Sequence, residues 1–110
     1  EHLSHDVALV QRYRDDPLVH GRITPGAFRQ VRRAIRDAHD RADRITLPVL
    51  FLLSGDDHIV STPAAQQFAG RVAAPDTTVE TLPGHFHELL NETDRRQTWQ
   101  RIAAWLVERL

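Results

Sequence analysis

Cysteine and lysine are both missing from the 110 residues of this chain. Without cysteine there is no disulfide, no thiolate metal site and no cysteine nucleophile, and the redox compartment stays undetermined. Without lysine there is no Schiff base on a side-chain amine. All 14 basic side chains are arginine, a skew that coding bias would also produce. Charge of one sign is scarce too. The 14 Arg against 15 Asp plus Glu leave a net charge of -1, so the overall balance recruits neither nucleic acid nor an anionic membrane. The longest apolar run, Val49 to Leu53, is far too short to cross a bilayer. Glycine and proline are few and 41% of residues are hydrophobic, which is the make-up of a folded globular chain rather than a disordered one. The length suits one domain and excludes a multidomain enzyme. The sequence starts at Glu1 without a methionine, so any leader or upstream domain falls outside it.

Ser4 is placed to cap a short helix carrying Val7, Val10 and Gln11 to Tyr13, which Asp15-Asp16-Pro17 ends as a turn. Thr24-Pro25, a cap residue and a first-position proline, opens a second helix predicted over 25–43. Phe28, Val31, Ile35, Ala38 and Ala42 recur at helical spacing as its buried stripe. The mixed charges between Arg29 and Arg44 read as a solvated face. Val49-Leu50-Phe51-Leu52-Leu53, closed by Ser54-Gly55, has no polar alternation and predicts a strand covered on both faces, as in a parallel sheet.

Ser61-Thr62-Pro63 then opens a helix whose stripe is Ala64, Ala65, Phe68, Ala69 and Val72. Thr77 to Leu82 is a more polar strand, suited to a sheet edge and parallel to the first. Thr93 or Asn91 is expected to cap a last helix with Trp99, Ile102, Ala103, Leu106 and Leu110 on one face. The element order predicts an α/β fold. Two parallel strands cannot bury a strand that is apolar on both sides, so the chain is expected to be the terminal portion of a larger α/β protein.

Ligands in open α/β sheets gather beyond the carboxyl ends of the strands. Two loops meet that description: Ser54-Gly55-Asp56-Asp57-His58-Ile59-Val60-Ser61 and Pro83-Gly84-His85-Phe86-His87-Glu88-Leu89-Leu90-Asn91-Glu92. A carboxylate that accepts an imidazole N–H fixes the tautomer and stabilises the imidazolium formed when histidine takes a proton from a nucleophile. Asp56 or Asp57 with His85 or His87 fits that pairing. The plainer alternative is a solvated turn capping the next helix beside ordinary loop histidines.

The first loop resembles the acid-bearing turn, and the second the histidine loop, of the α/β-hydrolases related to monoacylglycerol lipase and lysophospholipase. Ser4-His5-Asp6, Tyr13 and Asp16-Pro17-Leu18-Val19-His20-Gly21-Arg22-Ile23-Thr24 are similar to that family's cap segment. The resemblance covers the whole chain but the C-terminal portion of the family. It implies residues 1–45 as cap segment and return helix, and 46–110 as the last two parallel strands of the hydrolase core with their flanking helices. It also implies Asp57 as triad acid and His87 as base, because Gly84, His87 and Glu88 match a glycine, two variable residues, His and Glu. His85 is the competitor, since other α/β-hydrolases place their histidine directly after a glycine.

The departures are equally plain. No Gly-x-Ser-x-Gly elbow holds Ser4, Ser54 or Ser61, and the His20-Gly21 pair belongs to the cap-like stretch, so no His-Gly oxyanion segment of the core occurs. An Asp-His pair without an activated serine and oxyanion donors cannot transfer an acyl group, so these residues alone are expected to be silent. The expected partners are an acyl-ester small molecule, the N-terminal remainder of the hydrolase core and a lipid interface at the periphery of a membrane. Neither nucleic acid nor a cofactor is implied. Two other readings stay open: a metal site using His85 and His87 with Asp56, Asp57 or His58, and a binding or assembly module whose unmet strand edge pairs with a partner.

Overall fold

The structure is a computed structural model and describes residues 2–110. Its centre is a two-stranded parallel sheet, β1 (Val49–Ser54) and β2 (Thr77–Leu82), in register from Val49 opposite Thr77 to Ser54 opposite Leu82. Parallel neighbours need a crossover, and α3 (Thr62–Ala69) supplies it. Ser61 caps α3 as expected, its Oγ accepting the Ala64 N–H at 3.3 Å, with Pro63 in the first turn. The second strand leads through the histidine loop into α4 (Arg95–Val107).

Two helices precede the sheet. α1 (Val7–Asp15) is capped by Asp6 rather than Ser4: Asp6 Oδ1 accepts the Leu9 N–H at 3.1 Å, while Ser4 Oγ accepts the Asp6 N–H and donates to the Asn91 carbonyl. α2 (Pro25–Asp40) begins as expected, with Thr24 Oγ1 accepting the Ala27 N–H at 3.1 Å, and ends three residues before position 43. Arg41 leaves helical geometry at φ -120°, and a 3-10 helix (Ala42–Arg44) turns Ala42 inward. Of the expected stripe only Ala42 is buried: Phe28, Val31 and Ile35 are each about half exposed.

α4 presents only part of the expected face: Ile102 and Leu106 turn to the sheet, Trp99 does not. Thr98 is buried, Ile102, Trp105 and Arg109 are half-buried, and Leu106 lines the open cleft against Leu50 and Leu52, whereas Trp99 faces outward. Trp105 carries a polar N–H that can be satisfied against the sheet, donating to Thr78 Oγ1 at 3.0 Å. Arg109 stacks on that indole and binds Asp76 through two bonds of 2.7 and 2.8 Å. The cap of α4 also differs: the N-cap residue is Asp94, with no side-chain cap bond, and Asn91 is turned to Glu88 instead.

Alternation along β1 sends Leu50 and Leu52 towards α4 and Phe51 towards α2 and α3. Neither side is sealed. Clefts of about 460 and 540 Å³ remain against the two faces, so the full cover expected for β1 is not provided by the described residues. The solvent-accessible surface is 8185 Å², against roughly 6,200 Å² for a globular monomer of this mass. The radius of gyration, 16.0 Å, likewise exceeds the roughly 13 Å of a 110-residue globule. No helix among the described residues is long and apolar enough to cross a membrane.

Candidate active site

The ends of β1 and β2 are tied together before any side chain contributes. Gly55 N–H donates to the Leu82 carbonyl at 2.9 Å and Asp56 N–H to the His85 carbonyl at 3.0 Å. This approach requires glycine at 55, because a Cβ there would stand 2.7 Å from the Leu82 oxygen. Ser54 Oγ donates to the same His85 carbonyl, and Thr62 Oγ1 to the Ser54 carbonyl at 2.7 Å. Gly84, at φ +71°, turns the second loop back over the first.

Asp57 sits where the first loop folds on itself. Its Oδ1 accepts the N–H groups of Ile59 and Val60 at 2.8 and 2.9 Å, which fixes the carboxylate and leaves Oδ2 for His87 Nδ1 at 2.8 Å. The Asp57 side chain is 9% exposed and that of His87 35%. Burial opposes ionisation of Asp57, but the His87 ring and the two backbone N–H groups outweigh it and hold the carboxyl below its ordinary 3.8. An ionised acceptor makes Nδ1 the protonated nitrogen of a neutral ring, so the lone pair lies on Nε2. A small cleft of about 180 Å³, lined by Leu52, Ser54, Asp57, Thr62, Ala65 and His87 among others, adjoins the pair.

The other candidates go elsewhere. His85, on the same loop, places Nε2 3.0 Å from Asp94 Oδ1 and Nδ1 3.1 Å from the Pro83 carbonyl. Asp56 pairs with His58 at 3.2 Å on the exposed side of the first loop. The residues considered as metal ligands thus divide into separate pairs, and no group of three such side chains converges among the described residues. All three serines are engaged: Ser4 with Asn91, Ser54 with His85, and Ser61 as the α3 cap.

Sequence reasoning missed Glu92. It is 1% exposed, and its carboxylate accepts the N–H groups of His5, Phe86 and Thr93 and contacts His5 Nδ1 at 3.0 Å. Burial works against the charge, yet the Phe86 and His5 N–H groups and the His5 ring keep the carboxyl below its ordinary 4.5. An acidic residue ahead of a helix ordinarily reads as a solvated terminus, and nothing local announces burial.

The family model described as Serine aminopeptidase, S33 matches residues 1–94. A monoacylglycerol lipase of Mycolicibacterium smegmatis is 28% identical over 109 residues, which cover 98% of this chain and 39% of that protein. An abhydrolase domain-containing protein of Dictyostelium discoideum, itself uncharacterised, is 31% identical over 109 residues, covering 98% of this chain and 12% of that protein. The crystal structure of Paleococcus ferrophilus monoacylglycerol lipase superposes with a TM-score of 0.89 at 30% identity, covering 97% of this chain and 42% of that one. The chain therefore spans about two-fifths of the length of the two lipases. With two parallel strands, a crossover helix and this family match over most of its length, the chain belongs to the serine aminopeptidase family of α/β-hydrolases.

Proposed function

We propose that this chain carries the acid–base half of a serine ester hydrolase acting on carboxylic esters of the monoacylglycerol or lysophospholipid kind. Asp57 is the acid that orients His87, and His87 Nε2 is the base that takes the proton from a serine hydroxyl and returns it to the leaving alcohol. The serine and the oxyanion donors come from polypeptide outside these 110 residues, so the chain alone is inactive. Residues 1–45 form the cap segment and 46–110 the core portion. The acyl chain and a lipid interface meet the cap, whose Val7, Leu18, Phe28 and Val31 are exposed.

The observation that carries this reading is the 2.8 Å contact between Asp57 and His87 Nδ1 at the carboxyl edge of parallel strands, the place where such sheets put their chemistry. A fold hosts many reactions, so the test addresses the nucleophile directly. A fluorophosphonate probe applied to the complete protein is expected to label one serine outside residues 1–110. Absence of any labelled serine ends the proposal.

A further inference from the structure

Glu92 stands out because a buried carboxylate is costly unless every oxygen is partnered, and here every oxygen is. Oε1 accepts the Phe86 N–H at 2.8 Å, the bond immediately before His87 in the chain. Directly after His87, the Glu88 N–H donates to the Leu3 carbonyl at 2.8 Å. The backbone of His87 is thereby pinned on both sides by groups that do not belong to its own turn. The His5 ring contacts Glu92 at Nδ1 and lies flat on the Phe86 ring, 3.8 Å between centroids and 16° between planes. The 2–6 segment is held in turn by Ser4 on the Asn91 carbonyl and by Asp6 against Arg95.

Resting on the acid–base reading above, we infer that Glu92 is the positioning residue that aims the His87 imidazole at Asp57, acting through the Phe86 backbone and the stacked His5 ring. It touches neither substrate nor the reacting atoms. Its effect is orientational: a displacement of about 1 Å at a catalytic group costs on the order of 100-fold in rate.

Glu92→Gln is nearly isosteric, removes the charge and sets an NH2 donor among backbone N–H donors. In the complete hydrolase it is expected to lower kcat by about 10- to 100-fold with KM within about threefold. The low-field proton resonance of the Asp57–His87 hydrogen bond is expected to shift or broaden, a change that a role confined to stability would not produce in folded protein. A folded E92Q enzyme with wild-type kcat and an unchanged resonance overturns the inference. If E92Q does not fold, His5→Ala decides. It removes the stacked ring and leaves the three backbone bonds of the carboxylate, so kcat should fall several-fold at constant KM, and a wild-type kcat overturns the inference. His87→Ala separates the two claims. Turnover that survives it refutes the catalytic assignment, whereas the resonance reports the aim of the ring whatever reaction it serves.

Discussion

The rim of the sheet and its two faces are built to different standards. At the rim, Asp57, His87, Ser54 and Gly55 are bonded within a few residues of the strand ends, Glu92 ties the histidine loop to His5, and no buried side-chain polar atom among the described residues lacks a partner. On the faces, β1 is only half-buried and large apolar side chains of α2 stand in solvent. Polar geometry can be completed by a short stretch of chain, because a hydrogen bond needs one partner at one distance. Hydrophobic burial is non-directional and grows with area, so it needs more neighbours than these residues provide.

The difference can be broken first at the rim. Asp57→Asn keeps the shape but spoils the tautomer of His87, and in the complete hydrolase kcat is expected to fall by about 10⁴. Asp56→Asn, one residue earlier and paired with exposed His58, should change kcat by less than about threefold in the same assay. Equal losses in both variants would mean that the rim does not discriminate between its two aspartates.

Gly55→Ala attacks the link between the strand ends. The new methyl would stand against the Leu82 oxygen and Pro83 backbone, so chemical denaturation of the complete protein should show a loss of about 2 kcal/mol. Trp105→Phe acts on a face instead. It removes the bond to Thr78 and part of the surface under Arg109, for an expected loss of about 1 kcal/mol by the same measurement. A larger loss at Trp105 than at Gly55 would reverse the ranking of face and rim.

The mildest lever is acid. Asp57 and Glu92 both have folded values below their ordinary 3.8 and 4.5, so each contributes stability that is fully present above those values. That contribution is lost as pH falls through the depressed values. Denaturation midpoints are expected to hold from about pH 7 to pH 5 and to fall below about pH 4, and D57N should weaken the fall.

The same division explains what could be read from the residues alone. Thr24-Pro25 and Ser61-Thr62-Pro63 announced helix starts because a cap is a contact over three residues. The unbroken apolar run of β1 announced a parallel strand, and its parallel partner followed. Asp57 and His87 were legible as candidates because both follow strands, although sequence spacing could not choose between His85 and His87. The structure sends His85 to Asp94, which is a contact of a later helix start. Glu92 and His5 were illegible because their contact joins residues 87 apart. The inward face of α4 was read correctly at Ile102 and Leu106 but not at its tryptophan, because Trp99 and Trp105 look alike in a periodic pattern, and what separates them is the Thr78 hydroxyl on a distant strand. Ser4 was misplaced for a similar reason: its partner is Asn91, not its own helix.

The central claim is that His87, and not its neighbour two residues earlier, takes the proton. Hydrolysis of a monoacyl ester by the complete enzyme, measured for His87→Ala and His85→Ala side by side, tests it most directly. The account predicts a loss of about 10⁴ or more in kcat for H87A and less than about tenfold for H85A. The reverse order, or near wild-type turnover from H87A, would contradict it.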